Sequence, residues 1–329
     1  MAAKKSSVPK KAKQPSRAKG KARLPKAPSP SPSPLDLEGF LVHQLSRQGH
    51  SKQSSHVLPE LLYNLTPSMR RLGYLSGFRA GLRLSSSHNS SNSLHPLIAA
   101  LENAGFSKIL YHPSKHSVVI RASHHPDCEN GSNSKAHIFE SGMIAGYLTE
   151  STHTSLKVAE TRCVHAGSRV CQFVAESESD LDQMGAFEGV DEMIGALADS
   201  IGGKGIDGRI SEGYFALQIL PLTRPPVNSE ISKLLYVAGE RVAARTPKIT
   251  DQTAEKLCAL FGLRKLGLGK GRRGIVSISA TLMPSNSFSG YAEMVSSFLC
   301  GMLYAKSGKV ASMERRLSGD GSYTIELSI

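Results

Sequence analysis

The sequence predicts an α+β fold of two tandem modules, each an antiparallel sheet packed with helices, that together form a pseudo-dimer. Two observations predict it. Residues 35–177 give helical patterns, a hairpin, a further helix and a second hairpin. The same order of segments recurs, diverged, in residues 186–329, after an acidic linker at 178–185. A chain of 329 residues is long enough for both modules.

Residues 1–34 differ from the rest in composition, because they mix Lys, Arg, Ala, Ser and Pro without any Asp or Glu. Such a segment cannot bury enough apolar surface to offset the entropy of ordering, so we predict a disordered basic arm. Its ten positive charges, out of a net +13, favour contact with nucleic acid or another polyanion. A solubilising tail and a nuclear address are the alternatives. The ten residues are Lys4, Lys5, Lys10, Lys11, Lys13, Arg17, Lys19, Lys21, Arg23 and Lys26.

Targeting signals and cysteine content indicate where the protein works. The arm is not followed by the apolar core of a secretory signal, and no apolar run is long enough to span a bilayer. The five cysteines, an odd number, make a poor disulfide framework and favour a reducing compartment. We therefore expect a soluble, cytoplasmic protein.

The first module opens with helices. Residues 35–49 predict the first of them, and the apolar segment VLPELLYNL follows after a polar connector. Residues 68–84 predict a helix with three glycines one turn apart, which favours close packing of a neighbouring helix. Residues 94–105 predict another helix that ends at its glycine.

Two hairpins and a central helix complete the module. β-Branched and aromatic residues predict strands at 106–112 and 116–123. Residues 138–148 predict an apolar helix, and SLKVAETRC and SRVCQFVAE predict two further strands joined by a glycine turn. The second hairpin therefore follows directly on the apolar helix.

Four side chains around this helix and hairpin form a candidate metal site: His137, Glu160, Cys163 and Cys171. Zinc prefers four nitrogen, oxygen or thiolate ligands in a tetrahedron, and this set supplies them. The last three converge across one hairpin, and His137 arrives from the start of the helix. A closed set of four ligands leaves no open position for water, so the predicted metal is structural.

Other residues compete for these roles. His165, in the turn between the two cysteines, is an alternative to His137. His124, His125 and Cys128, in a polar loop, form a second possible cluster or a source of a replacement ligand. The pattern also fits a protein without metal, in which the cysteines are small buried apolar residues and the glutamate is a surface acid.

The segments HIFESGMIAGYL and ETRCVHAGSRVCQFVAE resemble the 4-vinyl reductase domain family. The resemblance covers residues 36–177 well and residues 186–329 only as a degenerate copy. It implies small-molecule binding and the fold of the core subunits of the TRAPP tethering complex, which are α+β dimers with an apolar tunnel. In the zinc-bearing sensors of this family the ligands are a Cys, a Glu and two further Cys. The resemblance places them at His137, Glu160, Cys163 and Cys171.

The second module carries no corresponding ligands in the sequence alignment of the repeats. Its segments YVAGERVA and LCGML echo YLSGFRAG and IAGYL of the first module. This alignment pairs His137 with Ala292, Glu160 with Ser312, Cys163 with Arg315 and Cys171 with Tyr323. We therefore predict a metal in the first module alone.

The sequence outside the metal set contains no activated nucleophile and no paired acid and base, so we predict a non-catalytic protein. We expect it to bind or sense a small apolar or aromatic molecule between the helices and sheet of the first module. The candidate lining residues, which also suit an ordinary core, are Phe106, Tyr111, Val119, Phe139, Met143, Tyr147 and Phe173. The alternatives are a scaffold resembling TRAPP subunits, which binds protein partners or a second copy, and an accessory or carrier protein of tetrapyrrole vinyl reduction.

Overall fold

The fold was analysed in a computed structural model. The structure describes residues 57–87, 93–113, 118–123, 137–163, 168–177, 212–246, 249–271, 274–283 and 289–329. The predicted arm (1–34), the first predicted helix (35–49) and the predicted linker (178–185) lie outside these residues, so these three predictions stay open.

The first module contains a helical layer and a four-stranded antiparallel sheet. Its elements in chain order are α1 (Val57–Tyr63), α2 (Pro67–Ser87), α3 (His95–Asn103), β1 (Ser107–Pro113), β2 (Val118–Ser123), α4 (Ile138–Thr152), β3 (Leu156–Arg162) and β4 (Val170–Ser177). The strand order in the sheet is β1-β2-β4-β3, and all neighbours are antiparallel. The strands at the two sheet edges are therefore β1 and β3.

The second module repeats this architecture. Its elements are α5 (Glu212–Ile219), a short 3₁₀ helix (Leu220–Thr223), α6 (Val227–Arg245), α7 (Asp251–Leu260), β5 (Leu263–Gly271), β6 (Gly274–Leu282), α8 (Ser289–Ser307), β7 (Ser312–Leu317) and β8 (Tyr323–Ser328). Its sheet order, β5-β6-β8-β7, matches that of the first sheet strand by strand. The predicted α+β class, with two antiparallel sheets packed with helices, is confirmed.

The turn from helix to strand is the same in both modules. α3 is followed by Gly105, with φ 91°, and α7 is followed by Gly262, with φ 55°. Only glycine adopts such positive φ values without steric cost, so these two positions end the helices. α7 also begins at a capping box, in which Thr250 accepts from the Thr253 backbone N–H at 3.3 Å.

The helices α2 and α4 cross at glycines. A Cβ atom added to Gly77 of α2 would overlap the carbonyl oxygen of Phe139, and one added to Gly142 of α4 would overlap that of Tyr74. The two backbones therefore touch, because neither helix carries a side chain at the crossing. This is the close packing that the glycine spacing predicts.

The helices α6 and α8 cross in the same way. A Cβ on Gly239 would overlap the carbonyl oxygen of Phe298, and one on Gly301 would overlap that of Tyr236. Gly146 of α4 meets α2 in the same manner as Gly142, so these contacts agree with the sequence alignment IAGYL/LCGML, which pairs Gly301 with Gly146. The ends of the helices agree with it too, because α4 ends six residues after Gly146 and α8 ends six residues after Gly301.

Both sheets also align through their central strands. Ala122 of β2 lies opposite Cys171, and Ala280 of β6 lies opposite Ile325. Ile325 is therefore the counterpart of Cys171, and the sequence alignment with Tyr323 is wrong by two residues. A strand repeats its inward and outward pattern every two residues, which explains the slip. Common origin of the modules by duplication stays a prediction.

A buried polar group joins α4 to α5. The Tyr214 hydroxyl donates to Glu140 Oε1 at 2.8 Å, and Gln218 Nε2 donates to the same oxygen at 2.9 Å. The Tyr63 hydroxyl donates to the Gln218 carbonyl at 2.5 Å, and the Phe139 and Tyr214 rings meet edge to face. The buried apolar residues of both modules form one continuous core.

In the described part of the chain, no helix combines the length and apolar character that a membrane span requires.

Candidate metal centre

The four predicted ligands come together where α4 begins and where β3 and β4 meet. His137 is the residue before α4, Cys163 follows β3, and Glu160 and Cys171 lie within β3 and β4. α4 is buried on all sides from residue 139 to residue 148, so its start is fixed deep in the module. The site therefore lies at an interior corner between helix and hairpin.

A β-bulge in β3 brings two of the ligands to the same face. Residues three apart in a regular strand point to opposite faces of the sheet, which would separate Glu160 from Cys163. The pairing with β4 shifts between Glu160 and Arg162, so that one extra residue is accommodated. Both Glu160 and Cys163 are consequently buried, whereas the residues between them are exposed. The hydroxyl of Thr161, within the bulge, donates to the Gln172 carbonyl at 3.2 Å.

The distances between donor atoms suit a metal ion. One donor atom from each of His137, Glu160, Cys163 and Cys171 lies within 4.8 Å of all the others. His137 Nδ1 lies 2.8 Å from Glu160 Oε1 and 3.7 Å from Cys163 Sγ. Tetrahedral zinc, with bonds of about 2.0–2.3 Å, separates its ligands by roughly 3.3–3.8 Å. The residues present therefore fit zinc in number and type, and their donor atoms are close enough together to converge on one ion.

All four side chains are buried, and aromatic rings enclose the histidine. The exposed fraction is 1% for His137, Cys163 and Cys171 and 5% for Glu160. The Phe106 and His137 rings lie 4.8 Å apart, and Phe173 meets His137 at 6.1 Å. Buried polar groups need partners, and these four find them in each other. A metal ion held by these four ligands would have no open position for water, which is typical of structural sites.

The protonation of the site follows from its burial and its hydrogen bonds. Contact with Cys171 and then burial raise the pKa of the Cys163 thiol far above its ordinary value. Burial also opposes ionisation of Glu160, but the charge and hydrogen bonds of His137 outweigh it and lower the pKa of that carboxyl. The carboxylate is thus ready to bind a cation, whereas the Cys163 thiol must first lose its proton.

Zinc binding should therefore release protons and depend on pH. We expect at least about one proton per zinc at neutral pH, because Cys163 binds as a thiolate. The apparent affinity should fall by about tenfold or more for each unit by which the pH is lowered. Calorimetry in buffers of different ionisation enthalpy measures the released protons. Uptake of zinc without proton release would contradict a thiolate ligand at this position.

The competing ligands lie outside the described residues. These are His124, His125, Cys128 and His165. Among the residues that the structure describes, the group at the corner of α4 is the one set of three or more His, Cys, Asp or Glu with metal-binding spacing.

The predicted pocket residues of the first module are dispersed. Phe106 and Phe173 face the His137 ring, whereas Phe139 packs against Tyr214 of α5. Met143 and Tyr147 are buried in α4, where the Tyr147 hydroxyl donates to the Ser93 carbonyl. Tyr111 is 38% exposed on β1, and Val119 pairs with His112 and Val174 in the sheet. A role for these seven residues in ligand binding stays a prediction.

The second module has no metal ligand in any of the four corresponding places. Ala292 stands in the place of His137, because Ser296 donates to the Ala292 carbonyl as Ser141 donates to the His137 carbonyl. Strand pairing puts Met313, Arg315 and Ile325 in the places of Glu160, Cys163 and Cys171. Strand pairing corrects two of the sequence assignments, Ser312 for Glu160 and Tyr323 for Cys171. The conclusion that these positions hold no ligands is unchanged.

Sequence reasoning missed the bulge and the role of Thr161. The signal was present, because a Glu and a Cys three residues apart in a strand reach the same site only if the strand is irregular.

The fold and the four buried donors define an α+β domain with a buried His/Glu/Cys/Cys cluster that could hold a metal ion. A family model of the 4-vinyl reductase domain matches residues 117–177. The match runs from β2 to the end of β4 and includes all four ligands. The resemblance is confirmed for these residues, and this domain suggests binding or sensing of a small molecule. No curated protein sequence matches the chain.

Proposed function

We propose that this chain is a non-catalytic small-molecule-binding protein whose first module is held together by structural zinc. The observation that carries the proposal is the buried group of His137, Glu160, Cys163 and Cys171, whose donor atoms lie within 4.8 Å of one another. Two thiolates favour zinc over calcium or magnesium, which prefer oxygen ligands. The group lies within the residues that match the 4-vinyl reductase domain.

The zinc would fix the start of α4 against the β3–β4 hairpin. His137 would supply a ligand from the helix, and the other three residues would supply ligands from the hairpin. Since all four donors are used, the ion would have no open position for a substrate. The zinc ion would make the junction of α4 with the β3–β4 hairpin rigid. Other side chains would bind the small molecule.

The proposal is tested on the full-length protein purified from its host. We expect one zinc per chain by elemental analysis, and native mass spectrometry should detect a co-purified small organic molecule. Protein without zinc and without any small molecule would contradict both parts of the proposal. A zinc-containing protein in stoichiometric complex with another protein, and without a small molecule, would favour the second candidate described next.

The second candidate is a scaffold that binds a protein partner through β7. All six residues of β7 are exposed, and the strand lies at the edge of its sheet. Leu317 at its end is 63% exposed. An edge strand with unpaired backbone groups is a template for a strand from another chain.

The basic arm supports a further part of the proposal, contact with nucleic acid. Ten of the net +13 charges lie in residues 1–34, where no acidic residue opposes them. Counterion release from a polyanion would make this contact strongly dependent on salt and independent of base sequence. The remainder of the chain, with a net charge of +3, offers no comparable attraction.

A further inference from the structure

A cavity of about 230 Å³ opens in the second module between α6, α8 and the start of β7. Tyr236 of α6 forms one wall, and Glu293, Cys300 and Tyr304 of α8 form another. Met313 of β7 contributes to the third side. The cavity is therefore bounded by two helices and an edge strand.

The cavity lies beside the place that the metal corner fills in the first module, because its wall includes Met313, the counterpart of Glu160. Ala292 takes the place of His137. Where the first module brings a histidine and a carboxylate into contact, the second has a methyl group and a thioether. Neither of these attracts the other, so the corner is not drawn together.

The strand β3 closes onto the helices, whereas β7 does not. The Leu156 N–H of β3 donates to Thr149 Oγ1 at 3.1 Å, and the Val158 N–H donates to the Tyr74 hydroxyl at 3.1 Å. In the second module every residue of β7 is exposed, and Met313 is 45% exposed. The cavity is thus open because the edge strand β7 does not pack against α8 along its length.

The walls of the cavity suit a flat aromatic molecule. The rings of Tyr236 and Tyr304 lie 6.5 Å apart and are tilted by 39°. Met313 adds a flexible thioether, which packs well on aromatic rings. Tyr304 is 36% exposed, and partly exposed aromatic surface around a cavity is typical of a binding site.

The polar end of the cavity carries a negative charge. Glu293 Oε2 accepts from the Nδ2 of Asn228 at 3.1 Å, and Asn228 is more than nine-tenths buried. Within the described residues, no ion pair involves Glu293. Asn228 thus fixes one carboxylate oxygen, and the other is left for a donor from a ligand. Glu293 lies eleven residues before Tyr304 on α8, so the cavity has a carboxylate towards one end and aromatic rings towards the other. Both groups attract a protonated amine that carries an aromatic ring.

We propose that this cavity binds a small aromatic amine, with its ring against Tyr236 and Tyr304 and its ammonium group on Glu293. The volume lies below the roughly 300–1,000 Å³ of pockets for drug-sized ligands, so a single or fused double ring is the size that fits. The inference rests on the proposed function of small-molecule binding and gives it a location and a ligand class.

Tryptamine is a suitable probe, because the chain contains no tryptophan and indole fluorescence therefore reports the ligand alone. We expect saturable binding to the full chain, with increased fluorescence anisotropy. Bound tryptamine should also protect Cys300, in the cavity wall, from alkylation. Cys258 is the internal control, because it is likewise half-buried, burial likewise raises the pKa of its thiol, and it lies outside the cavity wall.

Charge recognition is tested by substitution. Glu293→Gln should weaken tryptamine binding by about tenfold or more, because a charged hydrogen bond is lost while the shape is kept. Glu314→Gln, which removes an exposed carboxylate of β7 outside the cavity wall, should leave binding unchanged. Indole-3-acetate, with the same ring and the opposite charge, should bind far more weakly than tryptamine.

The outcomes separate this inference from the proposed function. Absence of tryptamine binding, or binding that neither protects Cys300 nor responds to Glu293→Gln, overturns the cavity as an aromatic amine site. A small molecule that co-purifies with the wild-type protein and is retained by Glu293→Gln would overturn the site but leave the proposed function in place. Loss of that molecule in Glu293→Gln would support both.

Discussion

Replacing Cys163 by serine is expected to abolish stoichiometric zinc binding and to lower the free energy of unfolding by about 3 kcal/mol or more. The Cys163 sulfur lies 3.7 Å from His137 Nδ1 and close to Cys171 and Glu160, so its loss leaves three buried ligands without their common partner. A serine hydroxyl is a poor zinc ligand. Zinc content by elemental analysis and denaturant unfolding measure the two effects.

The matched control for this change is Cys258→Ser. Cys258 is a half-buried free cysteine in the second module, outside the metal group. This variant should retain its zinc and lose less than about 1 kcal/mol. A chelator should destabilise the wild type and the Cys258 variant alike, while leaving Cys163→Ser unaffected. If Cys163→Ser matched the wild type in both zinc content and stability, the metal centre would be disproved.

The second large effect is expected where α2 and α4 cross. Gly142→Ala should destabilise the protein by about 2–4 kcal/mol, because the added Cβ would overlap the carbonyl oxygen of Tyr74 and force the helices apart. Alanine is the better helix former by about 1 kcal/mol, so steric overlap must outweigh this gain. Gly77→Ala should behave similarly, because Gly77 meets the carbonyl oxygen of Phe139.

Gly319→Ala provides the control for the glycine variants. Gly319 lies between β7 and β8, has no atom within 4 Å of the position of a Cβ, and does not have a positive φ. Its replacement should change stability by less than about 0.5 kcal/mol. Thermal or urea unfolding of the three variants measures these differences. Equal stability of Gly142→Ala and Gly319→Ala would show that the helices tolerate separation.

Many helices, strands and ligands of the first module are predictable from sequence, because the residue patterns that indicate them span only a few neighbouring residues. The helix at 68–84 and the strands at 106–112 and 116–123 were found within a few residues of the observed α2, β1 and β2. Glycine spacing in α2 predicted a close helix neighbour, and Gly142 and Gly77 form that contact. The four ligands were identified by residue type and position in the hairpin, and the structure brings them together.

The repeat register was harder to predict, because secondary structure repeats its own pattern. The alignment slipped by two residues in β8, which is one period of a strand. This slip keeps apolar residues on the buried face, so no mismatch signals the error. Ile325 is placed only when the pairing of β8 with β6 is known.

The cavity in the second module could not be predicted from composition. It depends on the space between β7 and α8. The second module lacks the ligand side chains of the first, and no sequence motif marks the space that remains. Phe139 and Phe173, which the sequence suggests for a pocket, are buried in the first module, and their role in ligand binding stays a prediction. Tyr236 and Tyr304 line the cavity from two different helices.

Strand length distinguishes the two corners as much as side-chain chemistry does. Two residues separate Glu160 from Cys163 across the bulge, whereas one residue separates their counterparts, Met313 and Arg315, in a regularly paired β7. A bulge bends and twists its strand and changes which side chains face the interior. The extra residue of β3 thus accompanies a buried corner, whereas the regularly paired β7, one residue shorter at this place, is exposed along its whole length.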